Sequence, residues 1–168
     1  MQPEYIKIPL TQGYEAIVDA EDAERVLAHN WHAHVGKRGV YARRNAARIG
    51  GKQGVILMHR WIMGLGPGDP EVDHRNHDTL DNRRNNLRAC TNSQNQANRS
   101  RKTRRTSSRY RGVTLHRRSG RWQAAIRVNG KDFYLGLFNC EEEAAIAYNV
   151  AAREHFGAFS ALNELETT

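Results

Sequence analysis

The chain has 168 residues, of which 39% are hydrophobic, and its 26 lysines and arginines against 18 acidic residues give a formal net charge of +8. This length fits one ordinary domain or two small ones and excludes a large multidomain enzyme. No apolar run reaches the roughly 18 residues of a membrane span, and residues 1–10 lack the apolar region of a signal peptide. The two cysteines are too few for a disulfide framework. We therefore expect a cytoplasmic protein that binds a polyanion and no membrane.

The first part of the chain carries short hydrophobic patterns. Alternating apolar residues predict four strands, at residues 6–10, 14–18, 40–43 and 55–59. A helix is predicted over 19–29, with Ala23, Val26 and Leu27 on its inner face. Four large side chains are expected in the core: Trp31, Trp61, Ile62 and Met63. The nearby His29, His32 and His34 have a spacing that is typical of no metal-binding motif, which leaves their role open.

The densest group of polar side chains lies in residues 72–98. Asp73 and His74 precede a run of polar turn formers, which predicts a strand that enters an irregular loop. Thr91 and Gln94 fit a capping box, which predicts a helix that starts at about Asn92. Asparagine and aspartate supply the hard oxygen ligands that Mg²⁺ prefers, and a neighbouring histidine can act as general base. Together these groups are typical of phosphodiester hydrolysis.

This segment resembles the HNH, or ββα-metal, nuclease motif of phage and intron-type homing endonucleases. The resemblance is carried by V-D-H at 72–74, D-N at 81–82, N-L-R at 86–88 and Q-N at 94–95. It implies that Asp73 and Asn95 bind Mg²⁺, or another divalent cation such as Mn²⁺. It also implies catalytic roles for His74, as general base, and for Asn86, which orients that histidine.

The same resemblance implies supporting residues around the centre. Asp81 and Asn82 match a pair that stabilises the loop, and His59 matches a histidine that commonly lies upstream. The arginines that are candidates to bind DNA phosphates are Arg75, Arg83, Arg84 and Arg88. His77 stands where the family usually has a glycine, so it is a second base, a phosphate ligand or, as we favour, a turn residue on the surface.

The positive charge is concentrated in one segment. Residues 83–121 hold 13 of the 26 basic residues and no acid, so the rest of the chain, with 13 basic and 18 acidic residues, carries −5. The middle of this segment, which includes Arg104 and Arg105, has almost no apolar side chains. We expect a basic linker over 99–109 that contacts DNA phosphates, because neutralised phosphates release condensed counterions. A solvated linker without a partner is the alternative.

A second patterned region follows the linker. Trp122, Ala124, Ile126 and Val128 alternate with a second set of positions, which predicts a strand with one buried face. That second set is Arg121, Gln123, Ala125 and Arg127. Asn129-Gly130 predicts a hairpin turn, and residues 133–138 the returning strand. A helix is then predicted to be capped by Asn139 and to end at Gly157. The region therefore predicts a three-stranded antiparallel sheet packed on one helix.

This region resembles the apetala/ethylene-response-factor DNA-binding domain. The resemblance is carried by Y-R-G-V at 110–113, G-R-W at 120–122, Y-L-G at 134–136 and E-E-A-A at 142–145. It implies that an exposed sheet face enters the DNA major groove, with these residues toward DNA: Arg111, Gly112, Thr114, Arg117, Arg121, Arg127 and Tyr134. Two positions depart from the family, where Ala125 replaces a frequent glutamate and Asp132 a frequent arginine, so we expect a different site preference.

The sequence as a whole predicts an α+β protein. It comprises a ββα-metal HNH nuclease domain over 1–98, the basic linker over 99–109 and the DNA-binding domain over 110–168. We expect a DNA endonuclease that nicks double-stranded DNA in a bacterial or phage-infected host cell, as a monomer or a dimer, without a small-molecule cofactor. The alternative is a non-catalytic, sequence-specific DNA-binding regulator. A structural zinc protein is disfavoured because the two cysteines lie far apart.

Overall fold

The computed structural model describes residues 4–37, 39–99 and 107–165. Its chain divides into two compact units, the first unit over Met1–Cys90 and the second unit over Thr91–Thr168. Arg104 and Arg105, two of the predicted phosphate contacts, lie outside the described residues. Within the described part of the chain, every helix is too short or too polar to cross a membrane.

The first unit is built from small antiparallel sheets and two short helices. Its elements in chain order are β1 (Tyr5–Pro9), β2 (Glu15–Asp19), α1 (Ala20–Leu27), β3 (His32–Gly36), β4 (Gly39–Ile49), β5 (Lys52–Leu57), α2 (Met58–Ile62), β6 (Glu71–His74) and β7 (Leu87–Cys90). A single 3₁₀ turn, Thr11–Gly13, connects β1 to β2. The sheets are β1–β2, β3–β4–β5 and β6–β7, all antiparallel.

One hydrophobic core joins these elements. It contains Ile8, Val18, Val26, Met58 and Val72, each no more than 6% exposed. The expected burial of Trp31 and Ile62 is confirmed, whereas Trp61 and Met63 are only partly buried against the core. The hairpin that carries β6 is therefore anchored to the core through its apolar side chains.

Two expectations for this unit are wrong in detail. The strand predicted over 55–59 ends at Leu57, and Met58 begins α2. Burial explains the difference, because Met58 and Ile62 are four residues apart and both buried, which is a helical spacing. Leu27 is 57% exposed: it lies one residue after the buried Val26 and is therefore turned about 100° away from the inner face.

The described residues of the second unit form one sheet, two α-helices and a 3₁₀ turn at Gly157–Phe159. Its elements are α3 (Asn92–Asn98), β8 (Val113–His116), β9 (Arg121–Val128), β10 (Lys131–Phe138) and α4 (Glu141–Phe156). The strands form an antiparallel sheet in the order β10–β9–β8, and α4 packs on it. The alternation predicted for β9 is confirmed, because Ala124 and Ile126 are buried and Arg121 and Arg127 are exposed. The buried face and α4 form the core of this unit.

The helix ends test three cap predictions. The capping box is confirmed: the Gln94 backbone N–H donates to Thr91 Oγ1 at 3.2 Å, and Thr91 N–H to Gln94 Oε1 at 2.9 Å. The end of α4 at Gly157 is also confirmed. The Asn139 cap is wrong by one residue, because Cys140 is the N-cap and its Sγ accepts from the Glu143 N–H.

Candidate functional site

Asp73 and His74 lie at the end of β6, each 6% exposed. The β6–β7 register places Arg88 directly opposite Asp73. The Arg88 Nε and Nη2 atoms lie 2.8 and 2.7 Å from Asp73 Oδ2. We expected Arg88 to bind a phosphate. In the structure it forms an ion pair with Asp73, the predicted metal ligand, and only 10% of its side chain is exposed. Its phosphate contact stays a prediction.

His74 is part of a cluster of three rings. The His59 ring, from α2, lies 5.0 Å from the His74 ring between centroids, in an edge-to-face arrangement. Tyr41 of β4 lies 5.9 Å from His59 and 6.4 Å from His74. The structure therefore brings the predicted support residue His59 to the predicted base. Tyr41 was not identified from the sequence, because nothing local marks its contact with a histidine 33 residues away.

Burial keeps both histidines neutral at physiological pH. It lowers the pKa of His59 to about 3, helped by the nearby His74 and Arg60. Burial also lowers the pKa of His74, although a hydrogen bond with Asn82 and the charge of Asp73 oppose the shift. A neutral imidazole can accept a proton from water, which is the requirement for a general base.

Asn86 holds the loop that follows β6. Its side-chain Oδ1 accepts from the Asn76 backbone N–H at 3.0 Å, and its Nδ2 donates to the Asp81 carbonyl at 2.7 Å. Its own carbonyl accepts from the Arg75 N–H at 3.0 Å. One buried amide thus fixes both ends of the loop after His74. Asn76, which was not predicted, is the matching partner, and its side chain closes a local turn on Asp78.

Asp81 and Asn82 complete this network from the far side of the loop. Asp81 accepts from Asn76 Nδ2 at 2.9 Å and from two Arg83 nitrogens at 2.8 and 2.7 Å. The Arg83 guanidinium lowers the pKa of the Asp81 carboxyl. Asn82 is 1% exposed, and its backbone N–H donates to the Ile17 carbonyl at 2.7 Å. These contacts tie the loop to β2, which is consistent with a structural role for the pair.

Arg84 binds the start of α1. Its Nε and Nη2 atoms donate to the two Asp22 carboxylate oxygens at 2.8 and 2.9 Å, and its backbone N–H donates to Asp19. Arg25 donates to the same Asp22 carboxylate at 2.7 Å, so arginines compensate this acidic group. By contrast, Arg75 has an exposed side chain with no ion pair recorded among the described residues. Arg75 is therefore the arginine of this loop best placed to contact a phosphate.

His77 occupies an exposed turn with a φ of +65°. Its backbone N–H donates to the His74 carbonyl at 3.1 Å. A positive φ is strained for most residues and unstrained for glycine, which explains why a glycine fits this position in the family that the loop resembles. The geometry favours the interpretation of His77 as a turn residue.

The chemistry of the predicted metal ligands suits a hard divalent cation. Asp73 offers carboxylate oxygen and Asn95 offers an amide oxygen, the donors that Mg²⁺ prefers. Arg88 competes for one Asp73 oxygen. Asp73 belongs to the first unit, whereas the half-buried Asn95 lies on α3 of the second unit. The binding of one cation by both Asp73 and Asn95 therefore stays a prediction from the HNH motif.

The open face of the second unit's sheet carries several predicted DNA contacts. Arg121, Arg127 and Tyr134 are exposed, Tyr134 by 63%, as are Thr114 on β8 and Arg117 in the turn after it. Arg121 Nη2 donates to the Leu137 carbonyl at 2.7 Å. Arg127 pairs with Asp132. Five of the seven predicted residues are thus accessible around one sheet.

Arg111 and Gly112, the other two predicted contacts, are half-buried. The Arg111 guanidinium donates to the Ala97 carbonyl at 3.1 Å and to the Arg99 carbonyl, so it caps the C-terminal end of α3. A Cβ atom added at Gly112 would lie 2.1 Å from Tyr148 Cδ2. Both residues therefore make packing contacts within the second unit.

Comparison with protein families matches two domains to these two regions. The HNH endonuclease family matches residues 57–97, which include the Asp73–His74 centre, and the AP2 domain family matches residues 108–158, which include the sheet and the whole of α4. The chain therefore carries an HNH endonuclease domain followed by an AP2 domain.

Individual relatives include proteins of both kinds. An uncharacterized HNH endonuclease of Acanthamoeba polyphaga mimivirus is 36% identical over 118 residues, which cover 67% of this chain and 60% of the viral protein. AP2-like ethylene-responsive transcription factors of Oryza sativa subsp. japonica and Arabidopsis thaliana are each 56% identical over 61 residues, 35% of this chain. The chain spans only 10% and 11% of the length of those two plant proteins.

Proposed function

We propose that this protein is a divalent-metal-dependent DNA endonuclease that hydrolyses phosphodiester bonds. The observation that carries the proposal is the buried Asp73–His74 pair at the end of β6, with His59 packed on it and the following loop held by Asn86. A carboxylate, a neutral imidazole and a fixed loop together provide a metal ligand, a base and the rigidity that in-line attack on phosphorus needs.

In this proposal His74 removes a proton from the attacking water. Its neutral state supports the role, and the neutral His59 places no positive charge beside the imidazolium that forms. Asp73 and Asn95 would hold Mg²⁺ or Mn²⁺, which supplies electrostatic stabilisation of the phosphorane and the leaving 3′ oxygen. Asn86 keeps the loop, and with it His74, in position through its three hydrogen bonds.

Double-stranded DNA is the proposed substrate. The exposed arginines of the second unit and the acid-free segment 83–121 supply positive charge for the phosphates. Arg75, exposed beside His74, is proposed to bind a phosphate next to the scissile bond. Because each chain has one HNH centre, we propose that a monomer nicks one strand and that cleavage of both strands takes a dimer or two successive events.

A second candidate is a non-catalytic, sequence-specific DNA-binding regulator. The observation in its favour is the Arg88–Asp73 ion pair, since the guanidinium supplies the positive charge that a metal ion would otherwise bring to that carboxylate.

Supercoiled plasmid distinguishes the two functions. The full chain is incubated with plasmid in Mg²⁺ and in EDTA, and the products are separated by gel electrophoresis. The nuclease proposal expects relaxed circles with Mg²⁺ and unchanged supercoils with EDTA. A shift in plasmid mobility without relaxation in either buffer would overturn it and favour the regulator.

A further inference from the structure

Arg127 and Asp132 face each other across the β9–β10 hairpin. The antiparallel register pairs them directly, and both side chains lie on the open face of the sheet. Arg127 Nε donates to Asp132 Oδ1 at 2.7 Å, and Arg127 Nη2 donates to Asp132 Oδ2 at 2.6 Å. The contact is therefore a two-point pair that fixes the plane of the guanidinium, although the side chains are 65% and 63% exposed.

This pair leaves one edge of the guanidinium available. A guanidinium has five N–H donors in a planar fork, and Asp132 occupies the edge formed by Nε and Nη2. The opposite edge, formed by Nη1 and Nη2, still offers two parallel N–H groups. That edge matches the O6 and N7 acceptors of guanine in the major groove.

We propose that Asp132 is a specificity-determining residue, which holds Arg127 so that its Nη1–Nη2 edge reads one guanine. The proposal rests on the DNA-binding part of the proposed function and does not depend on cleavage. The proposal also explains how a substitution at residue 132 changes DNA recognition: this chain has an aspartate there, where the related plant domains often have an arginine. An arginine there could not accept the two hydrogen bonds, so Arg127 would be free to turn toward a phosphate.

The surroundings of the pair support base reading. Ala125, two residues before Arg127 on the same face, has a small side chain, and the neighbouring Tyr134 is 63% exposed. This combination leaves the guanidinium accessible from the open side of the sheet. Arg121 is held less firmly than Arg127. Its guanidinium donates one hydrogen bond to a neutral carbonyl, which fixes its orientation less than a two-point bond to a carboxylate does.

The carboxylate has a second, opposite effect on DNA binding. Asp132 places a negative charge on a face that would approach phosphates, and this weakens attraction that does not depend on sequence. Replacing Asp132 by asparagine should therefore strengthen binding to any duplex while it weakens the choice of guanine. If Asp132 did not position Arg127, its replacement by asparagine would strengthen binding to any duplex without weakening the choice of guanine.

Selection from a randomised DNA duplex tests the proposal. The full chain is kept in EDTA to prevent cleavage, and bound sequences are counted for wild type, Asp132→Asn, Arg127→Lys and the control Glu154→Gln. The control removes the same charge from the exposed side of α4. We expect Asp132→Asn and Arg127→Lys to reduce the preference for guanine about tenfold at the same base pair, and Glu154→Gln to retain it.

The outcomes separate this inference from the function on which it rests. If wild type selects a sequence and Asp132→Asn keeps the same guanine preference, the inference is wrong and DNA binding stands. If the two variants change different base pairs, the positioning of Arg127 by Asp132 is likewise wrong. If wild type binds no duplex at all, the DNA-binding function and the inference fail together.

Discussion

Replacing Gly112 by alanine should destabilise the second unit by about 2–4 kcal/mol. The φ of +72° at this residue costs an alanine about 1 kcal/mol. The added Cβ would also lie 2.1 Å from Tyr148 Cδ2 and 2.6 Å from the Ala125 carbonyl oxygen, far inside contact distance. Relieving such overlap in a packed core costs about 1–3 kcal/mol, a large part of the roughly 5–15 kcal/mol that stabilises a domain.

Amide hydrogen exchange of the full chain, measured by mass spectrometry, resolves this effect by region. Gly120→Ala is the matched control, because its φ of +69° is similar and no heavy atom lies within 4 Å of the added Cβ. Peptides from β9 should exchange about 100-fold faster in Gly112→Ala and about fivefold faster in the control, with β1 unchanged in both. Equal losses in the two variants would refute the packing role and leave Gly112 free to serve as the predicted DNA contact.

Two other predictions concern charge. Asp22→Asn should cost about 2 kcal/mol by weakening the bonds from Arg84 and Arg25, against little for the exposed Glu21→Gln. Burial raises the pKa of Asp22, but the two arginines together outweigh burial and lower it. The loss should therefore be complete above pH about 4 and disappear as the pH falls through the lowered pKa. Urea unfolding at pH 7 and pH 3 measures the difference in unfolding free energy between wild type and Asp22→Asn. Equal differences at the two pH values would contradict the ion pairs of Asp22 with Arg84 and Arg25. Arg117→Gln should reduce the salt dependence of DNA binding by about one phosphate contact, and an unchanged slope of log affinity against log salt would exclude that contact.

Strands and helices that are determined by residues close together in the sequence could be predicted from local patterns. The buried face of β9 follows from strict alternation, and the start of α3 from the capping box. The same logic could have found the Arg127–Asp132 pair, because a two-residue turn at Asn129-Gly130 fixes which residues of the hairpin face each other. The pairing of Arg127 with Asp132 can therefore be predicted from the sequence alone.

Contacts between distant parts of the chain could not be predicted in this way. Arg84 binds Asp22, 62 residues away, and no local pattern distinguishes this arginine from the exposed Arg75. Arg88 was equally ambiguous until the β6–β7 register placed it on Asp73. A basic residue near a nuclease motif can bind a phosphate or a carboxylate, and only the tertiary fold decides which partner lies within reach.

The most direct test of the proposed nuclease centre is the single-turnover rate at which the His74→Ala variant nicks plasmid DNA in Mg²⁺. The matched control is His77→Gly, which removes an exposed imidazole three residues away and suits the positive φ there. We predict that His74→Ala lowers the rate at least about 100-fold with unchanged DNA affinity, and that His77→Gly retains it. A His74→Ala variant that nicks as fast as wild type would contradict the assignment of Asp73 and His74 as the nuclease centre.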